Sequence, residues 1–187
     1  MPPLSLAPMS GDAALAPPRA FAPSRTLHPD EAASHLTRLY RLAWSLCGSP
    51  HVAEDLVQET YLRVLARPRR VRNADSFAYL ARTLRNVTTD HRRSESSRER
   101  RRLPADEVDP PDHRVTGDPV LAALAGEVYG AVSGLPDHHR EVVAAVDVAG
   151  LTYDEAARTL GIPVGSVMSR LYRARDRLAE KLGDGWL

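Results

Sequence analysis

One cysteine, one lysine, two phenylalanines and two tryptophans are all that the 187 residues contain of these types. With Cys47 alone, neither an intramolecular disulfide nor a cysteine-based zinc site is possible; it falls in the apolar pattern of a helix, so a buried thiol is expected. With so few aromatics, the core has to be built from Leu, Val and Ala. No run approaches the roughly 18 apolar residues of a membrane span. The N-terminus also lacks the basic start and unbroken apolar stretch of a secretory leader. A soluble, cytoplasmic protein with no membrane contact of its own is expected. Catalytic motifs are missing as well: there is no glycine-rich phosphate loop and no Gly-x-Ser-x-Gly turn. The histidines, at 28, 35, 51, 91, 113, 138 and 139, form no His-Glu-x-x-His pattern. His138 and His139 are adjacent, and neighbours on a helix point about 100° apart, a poor clamp for a metal ion. No catalytic residue, cofactor or metal site is expected, and the chain is not read as an enzyme.

Charge is present in quantity but unevenly placed. Lys and Arg total 25 against 24 Asp and Glu, a formal net charge of +1. Residues 68–102 carry 11 Arg and 4 acids, a net +7, whereas residues 103–127 carry 1 Arg and 6 acids, a net −5. A basic module therefore lies beside an acidic connector, and a concentrated basic surface is an electrostatic footprint for phosphates.

Periodicity divides the chain into four parts. Residues 1–30 hold prolines at 2, 3, 8, 17, 18, 23 and 29 and sustain no apolar period, so a disordered Pro/Ala-rich tail is expected. Residues 31–102 contain three helical patterns. The first carries Leu36, Leu39, Ala43, Leu46 and Cys47 on one face; Gly48-Ser49-Pro50 then stops it and caps the next. The second turns Ala53, Val57, Tyr61, Val64 and Leu65 inward and projects Asp55, Gln58 and Glu59 on its polar side. The third, from about Asp75 and Ser76, buries Phe77, Leu80, Ala81, Leu84 and Val87, with Arg82, Arg85, Asn86, Thr89 and Arg93 opposite. Residues 103–118, with Pro104, Pro110 and Pro111 among acids, read as a flexible linker. They lack the glycine turn and closing Glu of a calcium loop.

Residues 119–187 form the second module. Val120, Leu121, Leu124, Val128 and Val132 mark one helix, and Val142, Val143 and Val146 the next, closed by Gly150. In the segment 151–182, Thr152 and Glu155 have capping-box spacing, Gly161 supplies a left-handed stop, and Pro163 opens another helix. Val167, Leu171, Ala174, Leu178 and Leu182 recur at spacings of 4, 3, 4 and 4 as one buried stripe, leaving Ser166, Ser169, Arg170, Arg173 and Arg177 outside it. A short helix, a glycine turn and a second helix with an Arg- and Ser-bearing face present side chains to the DNA major groove. The expected fold is all-α: two small helical domains joined by a flexible linker, the C-terminal one a helix-turn-helix.

This arrangement resembles the extracytoplasmic-function (ECF) group of bacterial RNA polymerase sigma factors. The resemblance is carried by AEDLVQETYLRVL at 53–65, SFAYLARTLRNVTTDHRR at 76–93 and LPDHHREVVAAVDVAGLTYDEAARTLGIPVGSVMSRLYRARDRL at 135–178, and covers most of residues 33–182. It implies a protein that binds core RNA polymerase and directs it to promoter DNA. Residues 31–102 would correspond to sigma region two, with Asp55, Gln58 and Glu59 on the clamp coiled coil of the polymerase. In the same unit Asn86 would read a flipped −10 base, while Arg82, Arg85, Arg92 and Arg93 would hold phosphates. Residues 119–187 would correspond to region four, with Ser169, Arg170, Tyr172 and Arg173 at the −35 element. An anti-sigma factor is a further implied partner. The sequence departs from the family pattern at Met168, where many relatives carry Lys or Arg, and at Val146, where some carry Arg. The competing reading is a stand-alone helix-turn-helix regulator, which has no need of Asn86 among arginines or of the acids on 53–65.

Overall fold

A computed structural model describes residues 24–66, 70–72, 76–99 and 119–183. In chain order these form β1 (Ser24–Thr26), α1 (Pro29–Ser34), α2 (Leu36–Cys47), α3 (Pro50–Ala66), β2 (Arg70–Arg72), α4 (Ser76–Glu99), α5 (Pro119–Ser133), α6 (Asp137–Val143), α7 (Tyr153–Leu160) and α8 (Val164–Leu182). A π-helical turn over Ala144–Val148 prolongs α6. The fold is all-α apart from an antiparallel ribbon in which Ser24 pairs with Arg72, Arg25 with Val71 and Thr26 with Arg70.

The helix boundaries follow from local chemistry. Gly48 ends α2 at φ 77°, a left-handed conformation that costs glycine no Cβ clash. Ser49 then caps α3, its Oγ accepting from the Val52 N–H at 3.4 Å. Thr152 and Glu155 form a complete capping box at the start of α7: the Thr152 Oγ1 accepts from the Glu155 N–H, and the Glu155 carboxylate accepts from the Thr152 N–H at 2.9 Å. Gly161 closes α7 at φ 70°. Pro163 lies at the N-cap of α8, one residue before the first helical position.

Three features depart from the sequence reading. Residues 24–30, placed in the tail, form β1 and the start of α1, because Leu27 is buried and the Tyr61 hydroxyl donates to the Ala32 carbonyl at 2.6 Å. Leu36, Leu65 and Leu124 are exposed, although the periodic patterns place them inward. The third departure concerns the modules themselves, which share one contiguous buried cluster. The cause is α2. Leu42, Ala43, Trp44, Ser45 and Leu46 are consecutive and all buried, more than a single helical stripe can account for. This helix packs against α3 and α4 on the first module, and against α5 and the π-helical turn on the second.

Specific contacts seal the junction. The Trp44 and Tyr129 rings lie 4.5 Å apart between centroids. The Arg38 guanidinium stacks 3.7 Å from the Phe77 ring centroid and donates to the carbonyls of Ala149 and of Gly150, the latter at 3.0 Å. A Cβ at Gly48 would fall 2.5 Å from Ser133 Oγ, so glycine is required there for close approach as well as for its φ. The segment 103–118 lies outside the described residues.

Candidate nucleic-acid and polymerase interfaces

Helix α3 buries Ala53, Leu56, Val57, Thr60 and Val64 against its own module. That leaves Asp55 and Gln58, three residues apart and therefore neighbours on the surface, exposed. Glu59 sits on the shoulder of the same face. Its carboxylate accepts from Arg63 Nε at 2.7 Å, and Arg63 Nη1 reaches Asp90 Oδ2 on α4 at 3.1 Å. The sequence-predicted trio is thus brought together on one side, with Glu59 held to the flank by a cation. Leu62 and Leu65, at 66% and 41% exposure, continue that side toward the end of the helix.

Helix α4 buries Phe77, Leu80, Ala81, Leu84 and Val87 as one stripe. Opposite, Arg82, Asn86 and Arg93 are exposed at spacings of 4 and 7, one line along the helix. The two remaining arginines of the predicted −10 set face the second module instead. Arg85 meets Glu141 of α6 through a two-pronged pair, Nε to Oε1 at 3.0 Å and Nη2 to Oε2 at 3.1 Å. Arg92 Nη1 reaches Asp137 Oδ1 at 3.0 Å, and its Nη2 donates to the Leu46 carbonyl. Arg140 completes the cluster, donating to Asp137, to the Leu135 carbonyl at 2.9 Å and to the Leu46 carbonyl at 3.3 Å. A polar cleft lined by Arg85, Thr89, Arg92, Arg93, Asp137 and Glu141 runs between α4 and α6. Chemically, the carboxylates of α6 occupy guanidinium groups of the type that bind phosphate, since both anions offer paired oxygens to the same planar fork. Asp137, Glu141 and Arg140 were not singled out in the sequence, because a pairing across 45 to 56 positions leaves no local signal.

In the helix-turn-helix, α7 and α8 pack through Ala156, Ala157 and Leu160 against the stripe of Val167, Leu171, Ala174 and Leu178, all buried. On the outer side of α8, Ser169, Tyr172 and Arg173 are exposed and Arg170 is half-buried. Ser169 Oγ donates to the Ser166 carbonyl at 3.3 Å. The four predicted −35 residues therefore cluster within little more than one turn. Arg170, Arg173 and Arg177 also bring positive charge toward His139 of α6. Burial first, and then His138 and these three arginines, hold the His139 pKa below the ordinary histidine value. Arg175 turns away and is held by Asp147 of the π-helical turn, Nε to Oδ2 at 3.1 Å and Nη2 to Oδ1 at 2.6 Å. Met168, the residue at which the sequence departs from the family pattern, is 53% exposed on this same outer side. Among the described residues no cluster of three or more His, Cys, Asp or Glu is placed to hold a metal ion, and no helix is long and apolar enough to cross a membrane.

Comparison with known proteins agrees with this layout. The sigma-70 region 2 model matches residues 32–98 and the sigma-70 region 4 model matches residues 125–178. The ECF RNA polymerase sigma factor SigE of Mycolicibacterium smegmatis is 34% identical over 153 residues, a match that covers 79% of this chain and 58% of that relative. The ECF RNA polymerase sigma factor SigC of Mycobacterium tuberculosis is 36% identical over 129 residues, covering 67% of this chain and 68% of its own length. Among solved structures, the sigma factor RpoE of Bartonella quintana, in complex with the anti-sigma factor NepR, aligns with a TM-score of 0.60 at 27% identity, over 83% of this chain and 96% of that one. The two helical modules, one with an acidic and a basic helix and the other a helix-turn-helix, are those of an RNA polymerase sigma factor. The chain belongs to the ECF group of that family, whose members are non-enzymatic transcription-initiation factors.

Proposed function

We propose that this chain acts in the cytoplasm as the promoter-selecting subunit of RNA polymerase. Residues 31–102 form the unit that docks on core polymerase and opens the −10 element, and residues 119–187 form the unit that reads the −35 element. Of the tail at 1–30, residues 24–30 join the first unit through β1 and the start of α1, and the linker at 103–118 connects the two units. The observation that carries this reading is the joint exposure of Gln58 on α3, Asn86 on α4 and Arg173 on α8. A stand-alone regulator uses only the last of these.

In this reading Asp55, Gln58 and Glu59 meet a basic helical face of the polymerase through charge-assisted hydrogen bonds. Asn86, which donates and accepts at once, takes a base edge after the base leaves the stack. Arg82 and Arg93 hold the strand on either side of it. Arg85 and Arg92 join them once Glu141 and Asp137 let go. Ser169, Arg170, Tyr172 and Arg173 enter the upstream major groove, where an arginine paired with guanine gives about 1–3 kcal/mol of discrimination. The protein is also placed under anti-sigma control. The support is the fold it shares with Bartonella quintana RpoE, a sigma factor solved in complex with an anti-sigma factor.

Run-off transcription with purified core polymerase on promoter-library DNA tests the assignment. Start-site-specific transcripts that depend on this chain support it. Duplex binding by the chain alone, with no effect on initiation, would return the assignment to a stand-alone regulator.

A further inference from the structure

We propose that Met168, with the ring of Tyr172 one turn further along, forms an apolar surface on α8 that receives the C5 methyl group of a thymine in the upstream promoter element. The inference rests on the promoter-selecting role argued above and adds to it a base chemistry at one residue.

Two observations place these side chains in front of the helix. Met168 is 53% exposed and Tyr172 70% exposed, whereas Val167 and Leu171, the residues just before each, are buried. Being four residues apart, the two lie about 40° from each other around the helix and touch the same patch of surface. Val164, one turn before Met168, is also exposed and continues the apolar line, while the other exposed positions around it are small or polar: Gly165, Ser169, Arg173 and Asp176. A Cβ built on Gly165 would meet nothing within 4 Å, so the space ahead of the ridge is open. At about 100° per residue, Arg173 and Arg170 both lie to one side of the pair, where they can meet the phosphates along one edge of a groove.

The chemistry of the groove then selects the base. In the major groove the only apolar group on any base edge is the thymine methyl; guanine, adenine and cytosine present acceptors and donors. A thioether is flexible, polarizable and without a hydrogen-bond donor, so it packs well on a methyl group. Against the cytosine amino group, or guanine O6 and N7, it would strip water and return no hydrogen bond. Met168 thus supplies an apolar contact that discriminates against the other bases as much as it favours thymine.

The test uses RNA polymerase holoenzyme assembled with this chain and a duplex library randomised upstream of the −10 element. The enriched duplex is resynthesised with each enriched thymine replaced in turn by deoxyuridine, which removes the methyl group alone. At one thymine the replacement should weaken binding about three- to five-fold, the factor expected from exposing one buried methyl. Met168→Ala should bind the thymine and deoxyuridine duplexes equally, and Met168→Leu should restore the preference. Equal binding of the two duplexes by the unaltered chain, or a methyl preference that survives in Met168→Ala, overturns this proposal and leaves the promoter-selecting role standing. Failure to enrich any upstream sequence overturns both.

Discussion

Arg85 and Glu141 face each other across the junction of the two modules, joined by two parallel hydrogen bonds of 3.0 and 3.1 Å. Arg85 is also adjacent in sequence to Asn86, which is exposed and carries the proposed base contact. A guanidinium engaged by a carboxylate is unavailable to phosphate, so the docked arrangement and strand binding compete for the same side chain.

Glu141→Gln should therefore raise the affinity of the free chain for a single-stranded −10 oligonucleotide. Both side chains are partly exposed, which limits the effect to about 0.5–1 kcal/mol, roughly two- to five-fold. Fluorescence anisotropy with a labelled strand measures it, and distance measurements between labels on α4 and α6 should show the modules parting. Unchanged affinity and unchanged distance would mean that the pair does not gate this face.

Leu178 is fully buried at the C-terminal end of the buried α8 stripe. Leu178→Ala should cost about 2–5 kcal/mol of stability, combining the lost transfer energy with a residual cavity. Urea unfolding followed by circular dichroism is the appropriate measurement, and upstream DNA binding should fall in step with the folded fraction. A loss below about 1 kcal/mol would show that α6 and α7 pack only loosely on α8 at this position.

Thr152→Ala removes one half of the capping box and leaves the Glu155 N–H without its acceptor. The expected cost is about 1 kcal/mol, visible as a lower thermal midpoint. The hydrogen bond from the Thr152 N–H, the largest cause, holds the Glu155 carboxyl below its ordinary range. Its stabilisation is present above the unfolded pKa and is lost as pH falls through the lowered folded value. Thr152→Ala keeps that backbone bond but loses the hydroxyl's bond to the same carboxylate, 2.8 Å long, which also lowers the Glu155 pKa; its cost should shrink in strong acid, and a pH-independent difference would argue against the box.

His139 is buried, and its Nδ1 has no hydrogen-bond partner among the described residues. With its pKa lowered, the folded state favours the neutral ring. Stability is then complete above the unfolded value of about 6.5 and declines as pH falls below it. His35 acts in the same direction: it is hydrogen-bonded to Ser76 Oγ at 3.0 Å, and its pKa is lowered by burial and by Arg38. The urea midpoint should drop between pH 7.5 and 5.5, and the slope should be shallower in His139→Gln and shallower still with His35→Gln added. A midpoint that rises on acidification would contradict the sign.

Much of the architecture was legible in the residues themselves. Capping signals at Ser49, Thr152 and Gly161 are local, and a hydrogen bond between neighbours three residues apart needs no tertiary context. The buried stripes of α4 and α8 follow from period alone, since one face of an isolated amphipathic helix must leave water. For the same reason Asp55, Gln58, Asn86 and Arg173 could be placed outward before any fold was known. What the sequence did not reveal lies between distant segments. The near-complete burial of residues 42–46 requires a second module on the far side of α2, which its periodicity does not announce. The engagement of Arg85 and Arg92 depends on carboxylates 56 and 45 positions away.

The chain alone determined which segments become helices and which side chains face outward, because those properties are set by hydrogen bonds and apolar spacing within a few residues. Tertiary structure decided which of the outward charges stay free. That choice depends on which opposite charge is nearest in space, and α2, apolar on more than one face, draws α6 and its carboxylates against the basic side of α4.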